Sequence, residues 1–181
     1  MRNRMINYRN YVESCKDFPK EGVLYWDFTP ILSNPKVFRQ AIADIIKHFK
    51  DKGITKIAAI EAKGFTIGSA LAYQMEVPLV LIRKPELIPG KVLREKFVKE
   101  YGIGEYQIKD GIISETDKVL IVYDIMAGAG ATKAAINLVK KSKAKVVGCT
   151  YVIELEYLSG REELAGYDIF SLIRITEKNE I

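Results

Sequence analysis

The stretch VLIVYDIMAGAGATKAAINL, from Val119 to Leu138, changes character twice along its length. The apolar run Val119 to Val122 leads into Tyr123 and Asp124, and a loop made almost entirely of Ala and Gly follows. Thr132 and Lys133 then open a segment whose apolar residues recur at helical spacing. A buried strand, a tight loop and a helix in that order form a β-α unit of an α/β fold. Ligands of open parallel sheets gather beyond the carboxyl ends of the strands, which is where residues 124–132 stand. An Ala/Gly turn lets backbone N–H groups approach an anion closely, and the N-terminus of the next helix adds partial positive charge. A phosphate fits such a loop. A tight turn that merely packs fits it too, and these residues alone leave both readings open.

The common phosphate motifs do not match. A P-loop sets its Lys before the hydroxyl residue, whereas Lys133 follows Thr132. In a dinucleotide fingerprint the ribose-binding acid comes about 20 residues after the glycines, whereas Asp124 precedes them. An acid at a strand end followed at once by a phosphate loop suits a compact ribose phosphate.

The same alternation extends outward from this unit. KVFRQAIADIIKHFKDKG sets Phe38, Ile42, Ile45, Ile46 and Phe49 on one helical face, with Gly53 as a stop signal. TKIAAIEAKG reads as a buried strand, FTIGSALAYQM as a helix and VPLVLIRK as a second strand, while KVVGCTYVIEL supplies another strand after the Val119 unit. Repeated β-α-β units predict a mostly parallel twisted sheet with helices on both faces. Residues 84–109 are highly charged and interrupted by Pro and Gly, which predicts a lid or excursion over a site.

Composition excludes several classes. The chain has 181 residues, 48% hydrophobic and 28% charged, as expected of one compact soluble domain. No stretch approaches the roughly 18 to 20 apolar residues of a membrane span, and MRNRMINYRN has no apolar centre for a signal peptide, which places the chain in the cytoplasm. Cys15 and Cys149 lack the spacing of a zinc site or disulfide framework. The net charge of +5 admits nucleic acid or a small polyanion as partner, but no helix-turn-helix or basic cluster with interleaved aromatics supports nucleic-acid binding.

Five segments in order resemble the adenine phosphoribosyltransferases, of the type I purine phosphoribosyltransferase family, along nearly the full chain. DFPKEGVLYWDFTPIL (Asp17 to Leu32) looks like the family's opening turn and base-covering hood, the hood spanning residues 1–35. EAKGFTIGSALA is similar to its pyrophosphate loop and helix, PLVLIRK to its next strand, KEYG to its mobile catalytic loop, and VIELEYLSGREEL to its tail. The resemblance implies transfer of ribose 5-phosphate from phosphoribosyl pyrophosphate to a purine, adenine first, with Mg²⁺ held mainly by the substrate and the chain acting as a homodimer.

Residue by residue, it sets Lys63, Gly64, Arg83 and Lys84 at the pyrophosphate and Asp124 at the ribose hydroxyls. Ala127, Gly128, Ala129, Gly130, Ala131 and Thr132 fall at the 5-phosphate, and Leu24, Tyr25 and Trp26 at the base. Glu100 becomes the general acid and base and Tyr101 its lid neighbour. The departures cluster on donor and base contacts: Tyr123 replaces one of two adjacent acids, Gly128 and Ala131 replace threonines, Lys63 and Trp26 replace arginines, and Leu87 replaces a lysine. A purine phosphoribosyltransferase with altered donor contacts and a paralogue that senses a nucleotide or phosphate without turnover both fit this pattern.

Overall fold

The computed structural model describes residues 6–98 and 102–177. After a 3₁₀ turn at Tyr8–Tyr11, strands β1 (Glu13–Lys16) and β2 (Leu24–Asp27) form a two-stranded antiparallel ribbon. Helices α1 (Thr29–Ser33) and α2 (Pro35–Phe49) follow. The Asn34 side chain caps α2 by accepting from the Lys36 and Val37 amides at 3.2 Å, with Pro35 preset in the first turn. Then come β3 (Lys56–Ile60), α3 (Gly64–Met75), β4 (Leu79–Ile82), β5 (Val92–Val98), β6 (Ile103–Lys109), β7 (Lys118–Met126), α4 (Gly130–Lys141), β8 (Lys145–Leu155) and β9 (Ile169–Ile175).

Five strands pair in parallel in the order β4-β3-β7-β8-β9, with β7 at the centre. Period-two alternation explains the layers. Leu120 and Val122 of β7 join Ile57 and Ala59 of β3 in a core shared with α2 and α3. Val119 and Ile121 join Ala58 and Ile60 in a second core shared with α4. Each central strand is therefore buried on both sides, which is why the strands read as continuous apolar runs. The α/β sheet with helices on both faces is as the sequence predicts. No helix among the described residues is long and apolar enough to cross a membrane.

Residues 84–109 differ from the expected excursion, because β5 and β6 form an antiparallel hairpin over most of that length. Tyr106 and Ile108 are buried in the α4 core, and Gln107 bridges to Arg83 at the end of β4. Glu95 of β5 accepts from Asn137 at 2.9 Å and pairs with Lys141 at 2.7 Å, which straps the hairpin to α4. The alternation in VLREKFV is real, but its outward charges mask it in the sequence.

The base of the sheet is held by the buried Asp117 carboxylate. It accepts from the Ser114 amide at 2.7 Å, the Ser114 hydroxyl at 2.8 Å and Thr55 at 2.9 Å, and it pairs with Lys56 at 2.9 Å. Burial alone would raise its pKa, but these partners together hold it far below the usual carboxylate range. A depressed folded-state pKa stabilises the protein above the unfolded value, near pH 4, and that stability is lost as pH falls towards the folded value. Asp117→Asn should therefore cost about 2 kcal/mol in urea denaturation at pH 7, and the gap to the wild type should narrow steadily below pH 4.

Candidate active site

Three strand ends and two helix N-termini converge at the carboxyl edge of the sheet. Helix α4 starts at Gly130 behind Ala129, and α3 starts at Gly64 behind Lys63; neither has a side-chain cap. Their first-turn N–H groups are thus left without a capping side chain, the arrangement that favours anions, and Gly130 and Ala131 of α4 line the cleft. Gly64 is needed for this approach, since a Cβ there would lie 2.9 Å from the Val122 carbonyl oxygen. The cleft between these elements has a volume of about 990 Å³. A shallower depression of about 730 Å³ lies near the start of β4, away from the strand ends.

Asp124 lies near the carboxyl end of the central strand β7, before Ile125 and Met126, and is 8% exposed. Burial raises its pKa, while the Lys63 charge and the Ile125 amide work against that rise. The Lys63 ammonium sits 3.4 Å from Asp124 Oδ2 and donates to the Tyr25 hydroxyl at 2.8 Å. Burial tends to lower the Lys63 pKa, but the Tyr25 oxygen and the Asp124 charge outweigh it and hold it above the ordinary value.

Glu61, which sequence reasoning left out, organises the next loop. Its carboxylate pairs with Arg83 Nε at 3.2 Å and accepts the Lys84 amide at 3.1 Å. Arg83 also donates to the Leu87 carbonyl at 3.2 Å, so its guanidinium is engaged within the loop. The Lys84 side chain lines the cleft and makes no ion pair with a described residue. Tyr123, standing where the resemblance calls for an acid, lines the cleft beside Tyr106, and the two phenols share a hydrogen bond. Chiefly through burial, both phenols stay protonated above their usual pKa.

Ala127, Gly128, Gly130 and Ala131 line the cleft. Thr132 does not offer its hydroxyl there: α4 begins two residues earlier than expected, which turns Thr132 into the core, 2.9 Å from the Tyr151 hydroxyl. Ala129 is likewise buried, which leaves only backbone to serve a ligand. Beneath the loop, Gly160 fits so closely that a Cβ would lie 2.9 Å from the Ala127 carbonyl oxygen. The next residue, Arg161, grips the buried Glu154 carboxylate with two bonds of 2.7 and 2.5 Å.

Of the three expected base contacts, Leu24 lines the cleft, together with Ile125, Leu155 and Tyr157. Tyr25 turns to Lys63 instead. Trp26 is 3% exposed in the core, with the Arg9 guanidinium 4.8 Å above its ring, because an indole this large is buried more favourably than it is exposed. Glu100 and Tyr101 lie outside the described residues. Tyr106 was hidden by its place in a charged segment, whereas Tyr157 belongs to the EYLSGR tail.

A parallel sheet with uncapped helix N-termini following β3 and β7 and a cleft at the strand ends is the architecture of a phosphoribosyltransferase, and residues 29–180 match the family model described as phosphoribosyl transferase domain. The chain is 41% identical over 174 residues to an adenine phosphoribosyltransferase of Idiomarina loihiensis, covering 95% of this chain and 98% of that one. The crystal structure of the Thermoanaerobacter pseudethanolicus adenine phosphoribosyltransferase superposes with a TM-score of 0.89 at 35% identity, covering 93% and 98% of the two chains. The Giardia lamblia enzyme, solved with 9-deazaadenine, gives 0.90 at 30% identity over 94% and 97%. The chain belongs to the adenine phosphoribosyltransferase family.

Two glycines of the loop differ in what they tolerate. A Cβ at Gly130 would lie 2.8 Å from the Val98 carbonyl oxygen, whereas one at Gly128 meets nothing within 4 Å. Gly130→Ala should therefore cost about 1 to 3 kcal/mol in chemical denaturation, and Gly128→Thr should stay within about 0.5 kcal/mol of the wild type.

Proposed function

We propose that the cleft transfers ribose 5-phosphate from phosphoribosyl pyrophosphate to adenine, yielding AMP and pyrophosphate for purine salvage. The uncapped N-termini of α3 and α4, which follow β3 and β7 at the sheet edge where Lys63 meets Asp124, carry this reading. One terminus, at Gly130, receives the 5-phosphate through the backbone of residues 127–131. The other, at Gly64, faces the departing pyrophosphate together with Lys63 and Lys84. The apolar wall of Leu24, Ile125 and Leu155 takes the flat face of the base.

During transfer the bond from ribose C1 to the pyrophosphate oxygen breaks and a bond to a purine nitrogen forms. Positive charge grows on the ribose and negative charge on the leaving group. Asp124 holds the ribose hydroxyls and lies on the side where the positive charge develops, while the lysines and the α3 amides balance the departing anion. The proton lost from the purine nitrogen falls to Glu100, a role carried by the resemblance. The resemblance supports Mg²⁺ held chiefly by the donor's own oxygens, with Asp124 as the nearby carboxylate. When bound, Mg²⁺ neutralises charge on the leaving pyrophosphate. The resemblance also supports a homodimer working in the cytoplasm, and sedimentation at twice the chain mass would establish the former.

An assay of adenine, hypoxanthine, guanine and xanthine with phosphoribosyl pyrophosphate and Mg²⁺ tests the reaction. Adenine should be converted to AMP, and Asp124→Asn should lower kcat/KM about 10²-fold or more. Tight AMP binding with no turnover of any base would instead identify a nucleotide sensor.

A further inference from the structure

Tyr25 occupies a place that base contact does not explain. Its neighbour Leu24 lines the cleft, yet the Tyr25 hydroxyl accepts from Lys63 at 2.8 Å, and its ring centroid lies 4.7 Å from the same ammonium. Phe18 braces the ring edge-on at 5.1 Å, and the Phe28 ring lies 5.6 Å from the ammonium. The contact to Tyr25 is shorter than the 3.4 Å contact from Lys63 to Asp124. The ammonium is thus shared between a neutral acceptor on the β1–β2 ribbon and the carboxylate at the end of β7.

Lys carries its charge on a flexible stem with three rotatable donors, and it lacks the planar fork by which Arg fixes its own geometry. An untethered Lys63 would settle fully on Asp124, which would cancel the carboxylate needed by the ribose and withdraw the cation from the leaving group. A second acceptor, immobilised by Phe18, prevents that collapse and orders the side chain before the donor arrives. Preordering of this kind strengthens binding by removing an entropic cost at the moment of association.

We propose that Tyr25 is a positioning residue for Lys63, and that the chain Tyr25–Lys63–Asp124 joins the base-covering ribbon to the donor site. This inference rests on the phosphoribosyl transfer proposed above. It assigns to the Tyr25 hydroxyl a task that ring stacking would leave to the ring alone.

Tyr25→Phe keeps the ring and deletes the acceptor, and Lys63→Met removes the charge it holds. Steady-state kinetics on the full chain should show Tyr25→Phe raising KM for phosphoribosyl pyrophosphate about ten-fold while KM for adenine stays within about two-fold, as expected for loss of one hydrogen bond to a charged group. In the Lys63→Met background the same change should have no further effect on donor KM, because there is no ammonium left to position. An unchanged donor KM in Tyr25→Phe, or an equal rise in both backgrounds, overturns the proposal. Should the wild type form no nucleotide from any base, the transfer reading fails. Calorimetric titration of the same four proteins with phosphoribosyl pyrophosphate then decides the positioning role by the same ten-fold criterion.

Discussion

The ion pair between Asp124 and Lys63 is the interaction on which the site depends. Asp124 is carried towards the carboxyl edge by the central strand of the sheet, and an unpaired carboxylate there would be costly. Lys63 answers that charge from the start of α3, which ties the β3–α3 turn to the end of β7. The pair is only partly desolvated, and the Lys63 ammonium is shared between Asp124 and the Tyr25 hydroxyl.

Around this pair the fold supplies rigidity from three directions. The Glu95 contacts to Asn137 and Lys141 lay the β5–β6 hairpin along α4, so the helix that follows the Ala/Gly loop also carries the hairpin. Val98 comes so close to Gly130 that only a residue without a side chain fits between them. From below, Gly160 wedges under Ala127, held by the Arg161 fork on Glu154. A loop with no useful side chains is thus shaped by what packs against it, which answers how a sequence of bare Ala and Gly can define a binding surface.

The β7–loop–α4 unit was legible because its two periodicities are clean and its loop has no other chemistry to offer. The parallel order of the sheet followed from repeated β-α-β units. Three features escaped the sequence. In β5 the outward charges Arg94 and Lys96, with the charged Glu95 on the inward face, concealed the alternation, so a docked hairpin reads as an excursion. At Trp26 the adjacency to Leu24 stood in for shared placement, but the two lie at different depths on one strand, one at the cleft and one in the core. Thr132, which the resemblance sets at the 5-phosphate, has its hydroxyl in the core, because α4 starts at Gly130 and a helix start without a capping side chain gives no boundary signal. Glu61 and Tyr106 gained their positions only from contacts across the sheet edge, which no local pattern encodes. The departures at Tyr123 and Gly128 proved compatible with the architecture: the Tyr123 phenol is accommodated beside Tyr106, and Gly128 faces open space.

The central claim is that backbone at the α4 N-terminus receives the 5-phosphate while Asp124 receives the ribose. A crystal structure of the protein with AMP tests it most directly. The expected result is a phosphate within hydrogen-bond distance of the amides of residues 127–131, ribose hydroxyls at Asp124, and adenine against Leu24 and Ile125. A phosphate bound elsewhere, with the Ala127–Ala131 loop empty and Lys63 still closed on Asp124, would contradict it.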